Sequence, residues 1–227
     1  LSSYTYPGGI AIIMDGNSRW ARMRGLDTAF GHKKGAERVN EVINACSENS
    51  VKNLSLFAFS SENWKRPDEE IDALMQLLVE FINEKLNDMK SKNILFKFSG
   101  RRDRFSNKVN AALDKAVSST MDNTGLNLIL CLDYGGRQEI LDAVNKVSGR
   151  IISEKELSRN LYVPEFPEID LLIRTSGEER ISNFMLWQMS YAELYFTDVL
   201  WPDFSSEHLE KAVKSFNRRQ RRFGLRE

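Results

Sequence analysis

Short apolar runs rich in β-branched and aromatic residues recur along this chain at 10–14, 54–59, 94–98, 126–132 and 169–173, with a shorter sixth at 194–196. Amphipathic stretches separate them. The runs lack strict polar–apolar alternation, as strands covered on both faces do. In 68–90, Ile71, Leu74, Met75, Leu78, Phe81, Ile82 and Leu86 fall on one helical stripe, and Val109, Leu113, Ala116 and Val117 do so in 106–120. Pro67 suits a first helical position, and Asp68, Glu69 and Glu70 suit the positive helix start. Ser153 with Glu156 matches a capping box. This alternation predicts an α/β fold: a mostly parallel central sheet flanked by helices. With no repeat or linker, 1–227 reads as a single domain, with a lead-in over 1–9 and a basic C-terminal arm over 218–227.

Composition narrows the function classes. The formal net charge is zero, so no global field holds nucleic acid or an anionic membrane, and any anion must be held by local charge. The Arg-rich arm alone favours nucleic acid, so no nucleic-acid partner is expected. Cys46 and Cys131 sit in apolar runs without Cys or His at ligand spacing and read as small buried residues, which suits a reducing, cytoplasmic setting. No run approaches the roughly 18 apolar residues of a membrane span, and residues 1–9 lack a signal-peptide pattern.

In open parallel sheets ligands bind beyond the carboxyl ends of the strands. Polar clusters follow four of the runs: 15–20, 60–66, 133–137 and 174–183. In the first, Asp15 ends a buried strand, Gly16 lets backbone approach a ligand, and Asn17 and Ser18 are helix starters, so phosphate can be held there with Arg19 adding charge. Asp15 beside phosphate calls for a cation between them, and Mg²⁺ takes one or two carboxylates plus phosphate oxygens. The alternative is an Asp-Gly turn closing a strand. Arg174, Arg180 and Ser182 around Gly177 can grip a diphosphate, or form a solvated loop with Arg180 paired to Glu178 or Glu179. His32, ahead of a helical stretch, either meets phosphate or moves a proton, or is an exposed capping residue. Walker A, Gly-x-Gly-x-x-Gly and His-Glu-x-x-His patterns are absent. The acidic stretch 68–72 is explained by the helix dipole rather than a metal.

Several segments together resemble the cis-prenyltransferase family, in its bacterial undecaprenyl diphosphate synthase form. They are Ile12-Ile13-Met14-Asp15-Gly16-Asn17-Ser18-Arg19-Trp20-Ala21, Phe30-Gly31-His32-Lys33, Ala58-Phe59-Ser60-Ser61-Glu62-Asn63-Trp64-Lys65-Arg66-Pro67, Tyr134-Gly135-Gly136-Arg137, Ile173-Arg174-Thr175-Ser176-Gly177-Glu178, Arg180-Ile181-Ser182-Asn183-Phe184 and Leu200-Trp201-Pro202-Asp203-Phe204. The resemblance implies a six-stranded sheet with a hydrophobic tunnel, a homodimer, and a cytoplasmic enzyme that adds isopentenyl diphosphate to farnesyl diphosphate with Mg²⁺. Its product would be undecaprenyl diphosphate, the lipid carrier precursor for cell-wall synthesis, with transient membrane contact for release. It places Mg²⁺ on Asp15 and on Glu193 of the second subunit. It places Gly16, Asn17, Arg19, Trp20, His32, Ser60, Glu62 and Trp64 at the allylic diphosphate, and Arg174, Arg180, Ser182, Arg222 and Gly224 at isopentenyl diphosphate. Asn63 and Arg66 join Asp15 in the condensation. Met75, Leu78, Phe81, Ile82 or Phe98 would line the tunnel or simply fill the core.

The chain departs from the bacterial pattern at Thr28, where many relatives carry Arg, at Gly9 for a common His, at Asp133 for the usual Asn, and in a short segment after Val147. The alternatives are a short-chain or irregular cis-prenyl diphosphate synthase and a non-catalytic partner subunit, the latter disfavoured because Asp15, Arg174 and Arg180 are present.

Overall fold

In the computed structural model, which describes residues 4–147, 153–164 and 168–219, the six apolar runs pair in parallel as one sheet. The strands are β1 (Gly9–Ile13), β2 (Asn53–Ser60), β3 (Leu95–Ser99), β4 (Asn127–Tyr134), β5 (Leu171–Arg174) and β6 (Glu193–Phe196). Their order is β3-β4-β2-β1-β5-β6. Helices connect and cover them: α1 (Asn17–Arg22), α2 (Thr28–Glu48), α3 (Asp68–Ser91), α4 (Asn107–Thr120), α5 (Gly136–Lys146), α6 (Glu154–Asn160) and α7 (Ser206–Asn217). Short 3-10 turns occupy Ser61–Lys65 and Trp201–Asp203.

The strands lack alternation because both faces are packed. Ile10, Ile12, Leu54, Leu56, Leu128 and Leu130 meet α2, α3 and α4 on one face, where Val42, Ile82 and Leu113 are buried. Ala11, Ile13, Ile129, Cys131 and Leu172 face the other way, onto Phe184, Met185 and Met189. Each fully buried aliphatic side chain contributes about 1.5–3 kcal/mol of transfer free energy. Both cysteines are free and buried, and burial pushes the Cys46 thiol up to about 12.

Two local expectations change. Pro67 has an extended ψ and stands just before α3, whose first turn carries Asp68, Glu69 and Glu70. His32 is not an exposed cap but lies inside α2, which begins at Thr28 with the Asp27 side chain accepting from the Ala29 N–H. The glycines flanking His32 look like helix breakers in sequence. They are needed for contact instead: a Cβ at Gly31 would sit 2.1 Å from the Asn17 carbonyl oxygen, and one at Gly35 would sit 2.3 Å from Asn17 Oδ1. The capping box at Ser153 and Glu156 is formed.

Candidate active site

The site forms where β1 and β5 end side by side, with Ile13 opposite Arg174. The Asp15 N–H donates to Thr175 Oγ1 at 2.9 Å, and that hydroxyl lies 2.7 Å from the Asp15 carbonyl oxygen. This clamp aims the Asp15 carboxylate at Arg174. Gly16 turns the chain into α1 with φ of 109°, a left-handed conformation that favours glycine, and Leu200 packs where a Cβ would project.

Arg174 is 5% exposed and donates to Asp15 Oδ2 at 2.9 Å, to Ser182 Oγ at 2.6 Å and to the Arg180 carbonyl at 2.5 Å. Among the described residues its Nε has no hydrogen-bond partner, and neither do the buried Asn17 Oδ1 and His32 Nε2, the last having only Glu70 Oε1 near it at 3.7 Å. An unsatisfied buried polar atom costs about 1–3 kcal/mol, so three around one space mark a place that a polar ligand completes. The space is a cavity of about 800 Å³ lined by Asp15, Asn17, His32, Ser60, Glu62, Asn63, Arg66, Arg137, Arg174, Ser182 and Asn183.

His32 Nε2 lies 3.7 Å from Glu70 Oε1, which accepts from Arg66 at 3.0 Å. Burial, then the Arg66 charge, lower the imidazole pKa against the opposing pull of Glu70. Ser60 and Asn63 form a capping box, the Ser60 N–H donating to Asn63 Oδ1 at 3.0 Å. Burial works to raise the Glu62 carboxyl, but donors from its own backbone, Asn183, Ser60 and Ser61 outweigh it and hold the group below the ordinary value.

Other expected residues stand outside this cavity's lining. Arg19 donates to the Ser176 carbonyl at 2.8 Å and pairs with Glu178 at 3.2 Å, while Arg180 pairs with the same carboxylate. These two arginines hold Glu178 below the usual carboxylate range. Trp20 donates to Asp203 at 2.8 Å under the Arg24 guanidinium. Trp64 packs against Phe59 and Phe105 beside Arg104. Glu193 opens the edge strand β6 and pairs with Arg219 at 2.7 Å. It lies level with Leu171, whereas Asp15 lies past Arg174, at the other end of the sheet. Arg222 and Gly224 lie outside the described residues, as does most of the C-terminal arm.

Arg137 and Asn183 were given no role by the sequence, although both fall in singled-out segments. Asn183 ties three loops: its Oδ1 accepts from the Arg137 N–H at 2.9 Å, its carbonyl from the Gly136 N–H at 2.7 Å, and its Nδ2 reaches Glu62 at 3.3 Å. Nothing in the linear pattern signals that convergence.

A second, apolar cavity of about 120 Å³ shares Met14, Asn17, His32, Phe57, Ala58 and Leu74 with the first. Met75, Leu78 and Phe81 line it, whereas Ile82 is core and Phe98 packs against Phe105. Thr28 lines a surface cleft between α2 and α3. Asp133 is buried and ion-paired to Arg104, outside the polar cavity. At Gly9 a Cβ would sit 2.9 Å from the Glu168 carbonyl.

A polar cavity at the carboxyl edge of a parallel α/β sheet, bordered by an apolar one through shared lining residues, suits amphiphiles with anionic heads. The family model described as "Putative undecaprenyl diphosphate synthase" matches residues 13–224. The isoprenyl transferase of Neisseria meningitidis serogroup B is 46% identical over 96% of this chain and 89% of its own length. The ditrans,polycis-undecaprenyl-diphosphate synthase ((2E,6E)-farnesyl-diphosphate specific) of Vibrio vulnificus is 44% identical over 99% and 93%. The crystal structure of lavandulyl diphosphate synthase from Lavandula x intermedia with dimethylallyl diphosphate superposes with a TM-score of 0.94, at 33% identity over 97% of this chain and 99% of that one. This chain belongs to the undecaprenyl diphosphate synthase family of prenyltransferases.

Proposed function

We propose that this chain is a Mg²⁺-dependent cis-prenyltransferase that extends farnesyl diphosphate with isopentenyl diphosphate to undecaprenyl diphosphate, the lipid carrier precursor for cell-wall synthesis. The observation that carries the reading is the polar cavity around Arg174, with its unpartnered Nε, joined to an apolar cavity across Asn17 and His32. The anionic head and apolar tail of a prenyl diphosphate match the two compartments in polarity.

Asp15 fits a metal that arrives with substrate. Its Oδ2 is held by Arg174 while Oδ1 makes no hydrogen bond among the described residues, and no cluster of three metal-ligating side chains occurs there. One carboxylate plus phosphate oxygens and water is an ordinary Mg²⁺ set. Bound there, the metal would neutralise charge on the leaving diphosphate. Arg174 and Ser182 hold the isopentenyl diphosphate head, and Asn17 and His32 border the allylic one. The allylic C–O bond breaks with its electron pair leaving on diphosphate. The isopentenyl double bond attacks the freed carbon, and a proton is lost to leave a cis double bond. Preorganised charge and proximity supply the acceleration. Glu193 reaches such a metal only from a second copy, because three residues of β5 separate its level from that of Arg174, about 10 Å. A homodimer built on the β6 edge, where Tyr191 and Leu194 are exposed, satisfies this.

One observation favours a shorter or irregular product. The apolar cavity of about 120 Å³ is smaller than the ~150 Å³ that hold one benzene, so a long-chain tunnel needs α2 and α3 to part. Incubation with farnesyl and labelled isopentenyl diphosphates, with Mg²⁺ or with chelator, tests both readings. The expected result is an eleven-unit product that chelator abolishes, and Asp15→Asn lowers turnover about 10²–10³-fold. A product stopping after one addition overturns the long-chain reading.

A further inference from the structure

The turn between α1 and α2 exposes three large apolar side chains within eight residues: Met23 at 72%, Leu26 at 39% and Phe30 at 59%. They project from the tip of a helical hairpin that Gly31 and Gly35 lock against Asn17 and Ala21. Apolar side chains clustered this way on a surface mark an interaction site. Cations surround them. Arg24 is committed to Asp203 and Lys34 to Glu37, but the exposed Arg22 and Lys33 form no ion pair among the described residues. Asp27 is the sole carboxylate from 22 to 34 in the sequence, in a chain whose net charge is zero.

The tip also adjoins an opening. Thr28, Ala29, His32 and Lys33 wall the α2 side of a cleft of about 510 Å³, with Asp27 at its rim and Glu69, Glu70 and Glu80 on the α3 side, so the cations sit at the tip and the carboxylates line the far wall; its inner residues His32, Leu74 and Leu77 also line the apolar cavity. An apolar tip edged by uncommitted cations, beside a cleft that shares inner residues with the apolar cavity, complements an anionic lipid surface.

We infer that Met23, Leu26 and Phe30, with Arg22 and Lys33, seat the α1–α2 tip on an anionic bilayer, so that the α2–α3 cleft faces the membrane into which a prenyl product passes. The product part rests on the proposed function; the docking does not. The bilayer is favoured over a protein partner by the pairing of apolar tip with free cations, and by the cleft beneath it.

The test is flotation of the full chain with phosphatidylcholine vesicles and with vesicles containing phosphatidylglycerol, at low and high salt. The expected result is binding to the anionic vesicles only, weakened by salt. The triple variant Met23→Ser/Leu26→Ser/Phe30→Ser loses at least ten-fold in binding, and Arg22→Gln/Lys33→Gln loses about five-fold per cation. Met23→Trp strengthens it. Because these positions are exposed, circular dichroism should be unchanged. Turnover in detergent should stay within two-fold, since none supplies a polar group to the 800 Å³ cavity. No wild-type binding, or equal binding by the triple variant, overturns the inference. So does a triple variant that changes assembly mass in sedimentation without changing vesicle binding, because the tip would then contact a second copy. Vesicle binding without prenyl transfer removes the functional reading and leaves the docking surface standing; the reverse result removes the surface alone.

Discussion

The two cavities meet at Asn17 and His32 but are built on opposite principles. In the polar one, position is set atom by atom: the Asp15 backbone is clamped by Thr175, and Arg174 spends its donors on Asp15, Ser182 and the Arg180 carbonyl. In the apolar one nothing is directional, and Met75, Leu78 and Phe81 set only the room available. The difference teaches that removing one group should fail sharply in the first and grade smoothly with volume in the second.

The largest expected effect is at Arg174. Arg174→Ala should lower kcat/KM about 10³-fold, and Arg174→Lys should not restore it, because an ammonium cannot reproduce the planar fork. Steady-state kinetics with circular dichroism as a folding control checks this. Residual product should keep its length; a shortened product would break the separation of head from tail. Next comes the apolar wall. Phe81→Ala should lengthen the mean product by one or more units and Ala58→Leu, at the shared wall, should shorten it, with the first condensation within about three-fold of wild type. Chromatographic product profiles decide. The fall in fold stability for Phe81→Ala should stay below the 3–5 kcal/mol of a fully buried Phe, since Phe81 is only partly buried.

The smallest effect is at the junction. Burial and Arg66 lower the His32 pKa in the folded chain, so above the ordinary value of about 6.5 both folded and unfolded imidazoles are neutral and nothing is lost. Below it the unfolded chain takes up the proton first, so stability falls with acidification until the folded imidazole also protonates. His32→Gln should remove that loss, by under about 1 kcal/mol, measured as a shallower drop in Tm from pH 7.5 to 5.5. A steeper drop would show that His32 is charged when folded.

The same contrast explains what could be read from the chain. Strands packed on both faces announce themselves as unbroken apolar runs, and no boundary moved by more than two residues, from 169–173 to Leu171–Arg174 at most. Asp15 and Arg174 were legible because they follow such runs. The start of α2 at Thr28, ahead of His32, is not visible in the pattern, because propensity penalises glycine in a helix whereas Asn17 requires it at Gly31 and Gly35. Phe81 and Ile82 are adjacent on the helical stripe, yet one meets empty space and the other the core; that depends on how far α3 stands from the sheet, which periodicity does not encode. Asn183 was illegible for the same reason, since its partners lie on two other loops, after β2 and after β4.

Glu178 has a consequence for traffic at the site. It already pairs with both Arg19 and Arg180, so any anion drawn to those two guanidiniums would have to displace it. These are exposed pairs, screened by solvent and weakly held. That toll is small to a multiply charged diphosphate but comparable to all that a lone weak anion could gain. In the proposed function, the loop would therefore favour a multiply charged anion over a singly charged one.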